Sequence, residues 1–137
     1  MARRHTIPCI SFGNRDGKYH ARKTTVDGIT FDSMHEAQRY AELALLQKAG
    51  QISDLQRQVK FVLIPTQREP DIRGVRGGIT KGKLLEKECA YYADFVYTDK
   101  YGRTIVEDTK SPATRTEAYR IKKKLMLHIH NIIIKEV

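Results

Sequence analysis

Residues 92–110, YADFVYTDKYGRTIVEDTK, constrain the fold most. Two runs rich in aromatic and β-branched residues flank DKYG, which is the pattern of a β-hairpin. Alternation puts Tyr92, Asp94 and Val96 on one face of the first strand and Ala93, Phe95 and Tyr97 on the other. On the second strand Val106, Asp108 and Lys110 go together, opposite Ile105, Glu107 and Thr109. A plain four-residue loop would pair Thr98 with Arg103 and set Asp94 against Glu107. A bulge at Gly102 would shift pairing by one and set Asp94 against Asp108. Lys110 shares a face with Asp108, which favours the bulged register and a convergence of Asp94, Asp108 and Lys110.

Like charges facing each other across strands are destabilising, so an apolar hairpin that gathers acids needs a reason. Two carboxylates form a ready oxygen site for Mg²⁺, with Mn²⁺ as a substitute. An adjacent ammonium can position a water or offset charge on a phosphate. The competing reading is a solvated, charged strand edge that guards against aggregation. Tyr92 and Val96, beside Asp94, weigh against a wet face.

The rest of the chain supplies a frame for that hairpin. Its 137 residues suggest one core, with a basic, polar arm at 1–18 and a single domain over 19–137. Residues 19–31 read as a hairpin turning at Asp27-Gly28. DSMHEAQRYAELALLQKAG follows as a helix, with Ser33 as N-cap and Gly50 past its end. Glu36 completes a capping box with Ser33, yet it shares a helical stripe with Tyr40, Leu43 and Gln47, which turns it towards the protein body. Both readings of Glu36, cap and ligand, stand. A strand over 56–65 ends at Pro65, and within it Gln58 is a polar residue in an apolar run, placed to order a metal-bound water. Residues 66–88, with four glycines and a cluster of Arg and Lys, read as an exposed basic loop or long hairpin. A second helix over 111–131, capped by Thr114, and a short strand IIIKEV complete an α/β or α+β chain with a mixed sheet.

Glu36 in DSMHEAQRY, Asp94 in YADFVY and Asp108-Thr109-Lys110 in VEDTK, followed by a basic helix, resemble the PD-(D/E)XK nuclease superfamily. The resemblance spans about 19–137, and the small size is similar to phage-encoded and archaeal Holliday-junction resolvases. Ala93 stands where the family name would place proline. The resemblance implies a restriction-endonuclease-like mixed central sheet flanked by helices. It also implies a Mg²⁺-dependent endodeoxyribonuclease of DNA recombination, working as a homodimer on four-way junctions. Asp94, Asp108 and Glu36 would hold the metal, and Lys110 would orient the attacking water.

Charge agrees with a polyanionic partner: 25 Lys and Arg against 16 Asp and Glu give +9. On the second helix Ala118, Ile121, Leu125 and Ile129 form the expected packing stripe, leaving Arg115, Tyr119, Lys122 and Lys123 for phosphates. Arg73, Arg76, Lys81 and Lys83 in the glycine-rich segment would reach further along a DNA backbone. The bland alternative for both groups is a solvated basic face. His128 and His130 read as helix-end residues. No apolar run approaches bilayer length. Cys9 and Cys89, far apart and without a metal spacing, fit a reducing cytoplasm, that of the bacterial host for a phage-encoded chain. Two other readings remain open: a restriction- or transposase-type cut of duplex DNA, and a basic DNA-binding module that does not cut.

Overall fold

The structure, a computed structural model, describes residues 10–12 and 23–137. Strand β1 (Ile10–Phe12) pairs antiparallel with β2 (Thr24–Val26), which turns back into β3 (Ile29–Phe31). The β2–β3 turn is the expected Asp27-Gly28, both at positive φ (49° and 78°), as a tight hairpin requires. Strand β1 takes three residues, 10–12, from the segment read as a basic arm; the rest of 1–18, and 19–22 of the expected hairpin, lie outside the described residues.

Helix α1 (Met34–Lys48) starts where Ser33 Oγ accepts from Glu36 N at 3.1 Å. It packs on β2, β3 and the long strand β4 (Ile52–Ile64). The chain then runs out and back as a two-stranded finger built from β5 (Gln67–Arg68), β6 (Ile72–Arg73), β7 (Ile79–Thr80) and β8 (Leu84–Glu86). It returns as β9 (Cys89–Asp99), which pairs with β4 along its length and turns into β10 (Thr104–Asp108). A 3₁₀ turn (Pro112–Thr114) leads to α2 (Glu117–His130), and β11 (Lys135–Glu136) lies parallel to β10. The central sheet has the order β11-β10-β9-β4 and is mixed, so the α+β expectation holds.

Two apolar clusters hold the helices to this sheet. Val26, Phe31, Ala37, Leu43, Ile52, Phe95 and Tyr97 pack beneath α1; Leu63, Tyr91, Ala93, Val106, Tyr119, Met126 and Ile134 pack with α2. Along β10 alternation separates the clusters, with Ile105 towards the first and Val106 in the second. Two expectations about α2 fail. Its N-cap is Thr116, whose side chain accepts from Tyr119 N at 3.2 Å, because Pro112 commits 112–114 to a separate turn capped by Ser111. The packing stripe is also rotated: Tyr119 and Met126 are buried, while Ile121 and Ile129 are exposed. A spacing argument cannot distinguish two stripes when each carries apolar groups. Among the described residues, no helix is long and apolar enough to cross a membrane.

Candidate active site and metal centre

The register of the β9–β10 hairpin decides which acids meet. Thr104 pairs with Thr98, Val106 with Val96 and Glu107 with Phe95, which sets Asp108 against Asp94. Gly102 at φ 78° donates to Asp99 O (3.0 Å), while Asp99 N donates to Arg103 O (2.9 Å). This is the bulged turn, and it selects the register that Lys110 favoured.

The regular ladder stops at Glu107, and the side chain of Asp94 takes over. Its Oδ2 accepts from Thr109 N (2.8 Å) and Thr109 Oγ1 (2.7 Å). Asp108 is buried, and its Oδ2 accepts from Tyr91 Oη (2.8 Å) with Lys110 Nζ at 3.2 Å. Lys110 Nζ also lies 4.8 Å from the centre of the Tyr119 ring, so an aromatic face and a carboxylate together hold the ammonium. Asp108 Oδ1 is buried and has no donor.

Burial pushes the Asp108 carboxyl up to about 7, and the hydrogen bond and charge of Asp94 add to that rise. Asp94 moves the other way. Burial raises it, but hydrogen bonds from Asp108 and Thr109 outweigh burial and leave it lowered. Near neutral pH and without a cation, the pair therefore shares one proton. Hard cations prefer carboxylate oxygens, and a cation between Asp94 and Asp108 would replace the proton that the pair shares, so the residues present fit Mg²⁺.

Glu36 enters from α1. Its backbone N–H serves the helix cap, while its carboxylate Oε1 accepts from Gln58 Nε2 at 3.2 Å, so cap and site draw on different atoms of one residue. Gln58 Nε2 also reaches Asp94 Oδ1 at 3.2 Å. Gln58 sits in the middle of β4 at φ 50°, left-handed geometry that a non-glycine residue rarely adopts. Its pairing partner by register would be Asp94; instead its amide bridges the two acids. Burial, then the charge of Asp94, raises Glu36. Among the described residues no three His, Cys, Asp or Glu side chains are gathered closely enough to hold a metal. The direct pair is therefore Asp94 and Asp108, with Glu36 one amide further away.

Residues 16–135 match the family model described as "Protein of unknown function (DUF1064)". The chain belongs to the DUF1064 family. No curated protein and no solved structure matches it. In this DUF1064 chain the matched span holds Glu36, Gln58, Asp94, Asp108 and Lys110 together with both helices.

The structure places the other candidate residues of the DUF1064 domain less simply. Tyr119 is buried, and its Oη donates to Glu136 Oε1 at 3.0 Å. Lys123 Nζ reaches the same oxygen at 2.7 Å, and Arg115 lies 3.0 Å from Glu136 Oε2. Lys122 Nζ donates to Ala90 O at 2.8 Å. These four groups thus have partners within the chain, and Tyr119 belongs to the core. Arg73, Arg76, Lys81 and Lys83 are all exposed on the finger. The wet face also differs from expectation. Tyr92 is exposed and Asp94 half-buried, so the Asp94 face is the more open side of β9. Sequence reasoning missed Tyr91, because strict alternation puts it on the face away from Asp94; in the structure it packs with Val106 in the second cluster, on the side of Asp108, and its phenol donates to that acid.

Proposed function

We propose that this chain is a metal-dependent DNA endonuclease, with branched four-way junctions as preferred substrate. One observation carries the reading: Asp94 and Asp108 are held against each other at the end of one hairpin, with Lys110 in reach and no donor from any other residue on Asp108 Oδ1. Two half-buried or buried acids in contact repel when both are ionised, and a cation in place of their shared proton relieves that repulsion. Asp94 and Asp108 would hold Mg²⁺, which supplies Lewis-acid charge at a phosphate when bound. Thr109 and Gln58 fix the two oxygens of Asp94, so its carboxylate is oriented before substrate arrives. Lys110, partly exposed and steadied by Asp108 and Tyr119, orients the attacking water or offsets charge on the phosphate. Glu36, linked through Gln58, adds negative charge on the metal side of the site. The net charge of +9 favours a polyanionic substrate.

Incubating linear, nicked and four-way DNA with Mg²⁺ or with EDTA tests this. The wild type cuts only with Mg²⁺ and prefers the junction. Asp94→Asn, Asp108→Asn and Lys110→Ala lose cutting while keeping DNA binding. Near wild-type cutting by either aspartate variant would overturn the assignment.

A further inference from the structure

We propose that the finger of residues 66–88 lies in the major groove of duplex DNA beside the cleavage site. This rests on the reading of DNA as substrate.

The finger is built rather than loose. Ile72 pairs with Thr80 and Arg73 with Ile79, and the tip closes through Gly74 N to Gly78 O (2.8 Å) and Gly77 N to Gly74 O (3.0 Å). At its root Glu69 N donates to Lys83 O (2.9 Å), Arg68 to Gly82 O (3.1 Å) and Gly82 N to Asp71 Oδ1 (2.9 Å). The strands touch so closely there that a Cβ on Gly82 would meet Glu69 O at 1.8 Å. Apart from Gly82, every residue from 64 to 88 is exposed. Folding of the domain alone gives no reason for a structured ribbon that buries nothing of its own.

Charge and polarity along the finger identify what it meets. Residues 72–83 carry Arg73, Arg76, Lys81 and Lys83 and no acid. The acids lie nearer the root, where Asp71 is taken by Gly82 N and Glu88 pairs with Lys60. Between the cations Val75, Ile72 and Ile79 stand fully or largely exposed. The major groove offers complements to both: phosphates on its walls, guanine N7 and O6 for arginine, and thymine methyls for apolar groups. A two-stranded ribbon fits its width of about 12 Å and not the minor groove of about 6 Å. The finger continues β4 and β9, the strands that carry Gln58 and Asp94. At ~3.3 Å per residue its tip lies at most about 55 Å from Gln58 along the strand. Contacts therefore fall within roughly 16 base pairs of the cut.

The test uses the full chain in EDTA with a nicked duplex and a four-way junction, following affinity by anisotropy and groove contact by dimethyl sulphate footprinting. The wild type protects guanine N7, in the major groove, within the stated distance of the nick or branch. Arg73→Ala/Arg76→Ala lowers affinity at least tenfold, reduces the salt slope by about two and removes that protection. Unchanged affinity in the double variant overturns the inference, as does protection confined to adenine N3 in the minor groove. Binding to phosphatidylglycerol vesicles without binding to duplex also overturns it. Loss of the footprint in the variant, with no Mg²⁺-dependent cutting by the wild type, removes the nuclease reading and keeps major-groove binding by the finger. Cutting by the wild type, with affinity intact in the variant, does the reverse.

Discussion

At the scale of single residues, the site is a pair of acids driven apart in proton affinity. Burial and the neighbouring Asp94 hold Asp108 protonated to about pH 7, while Asp94 stays ionised. A group with a raised folded pKa contributes stability fully present below its unfolded value and lost as pH rises through the folded one. In the absence of a cation, Asp108 therefore costs stability progressively between about pH 4 and pH 7. A divalent cation competes with that proton, so its stabilising effect has the opposite pH dependence. Thermal unfolding with and without Mg²⁺ should show a larger rise in midpoint at pH 8 than at pH 5.5. Asp108→Asn should abolish that difference. Equal shifts at both pH values would mean that the cation binds elsewhere.

At the scale of elements, Glu107 ties the fold together from the face opposite Asp108. It is fully buried, and Arg39 of α1 grips it with two bonds, Nε to Oε2 at 2.9 Å and Nη2 to Oε1 at 2.8 Å. Tyr97 of β9 (2.5 Å) and Lys135 of β11 (2.6 Å) complete its shell. Burial opposes its charge, but Arg39, Lys135 and Tyr97 outweigh burial and leave its pKa lowered. Alternation alone suggests that Glu107 matters little, as a residue facing away from the site. It does face away, and it is an anchor. Removing one partner of a buried pair strands the other, at roughly 3–5 kcal/mol. Glu107→Gln should lower unfolding free energy by about 3 kcal/mol in denaturant titration and leave the Mg²⁺-induced stabilisation of the folded protein intact. A change in Mg²⁺ response without loss of stability would place Glu107 in the site instead.

At the scale of the whole molecule, a chain with one site makes one nick, whereas resolving a junction takes two at a fixed spacing. Two-fold symmetry of a homodimer would supply that spacing. The closing segment IIIKEV offers part of a surface: Ile134 is buried in the second cluster, while Ile133 is 78% exposed. Ile121 and Ile129 on α2 are exposed as well. We expect a dimer in sedimentation at micromolar concentration, binding four-way junctions at least tenfold more tightly than duplex of equal length, or about 1.4 kcal/mol. A monomer with equal affinity for both would remove junction resolution and leave phosphodiester cleavage standing.

Sequence by itself determined what is local. The Asp27-Gly28 turn, the Ser33 cap, the α1 helix and the hairpin with its Gly102 bulge all follow from side chains acting on their own backbone. The convergence of Asp94, Asp108 and Lys110 follows from the same local rule, because a single hairpin register brings them together. Tertiary structure decided everything that depends on which of two acceptable partners is nearer. It turned the Glu36 carboxylate to Gln58 although its N–H remains in the cap, and it gave Arg115, Tyr119 and Lys123 to Glu136. It also chose Tyr119 and Met126 over Ile121 and Ile129 for the core. Periodicity ranks faces by polarity, but burial is awarded by the surface that packs against them, and that surface comes from residues distant in the chain.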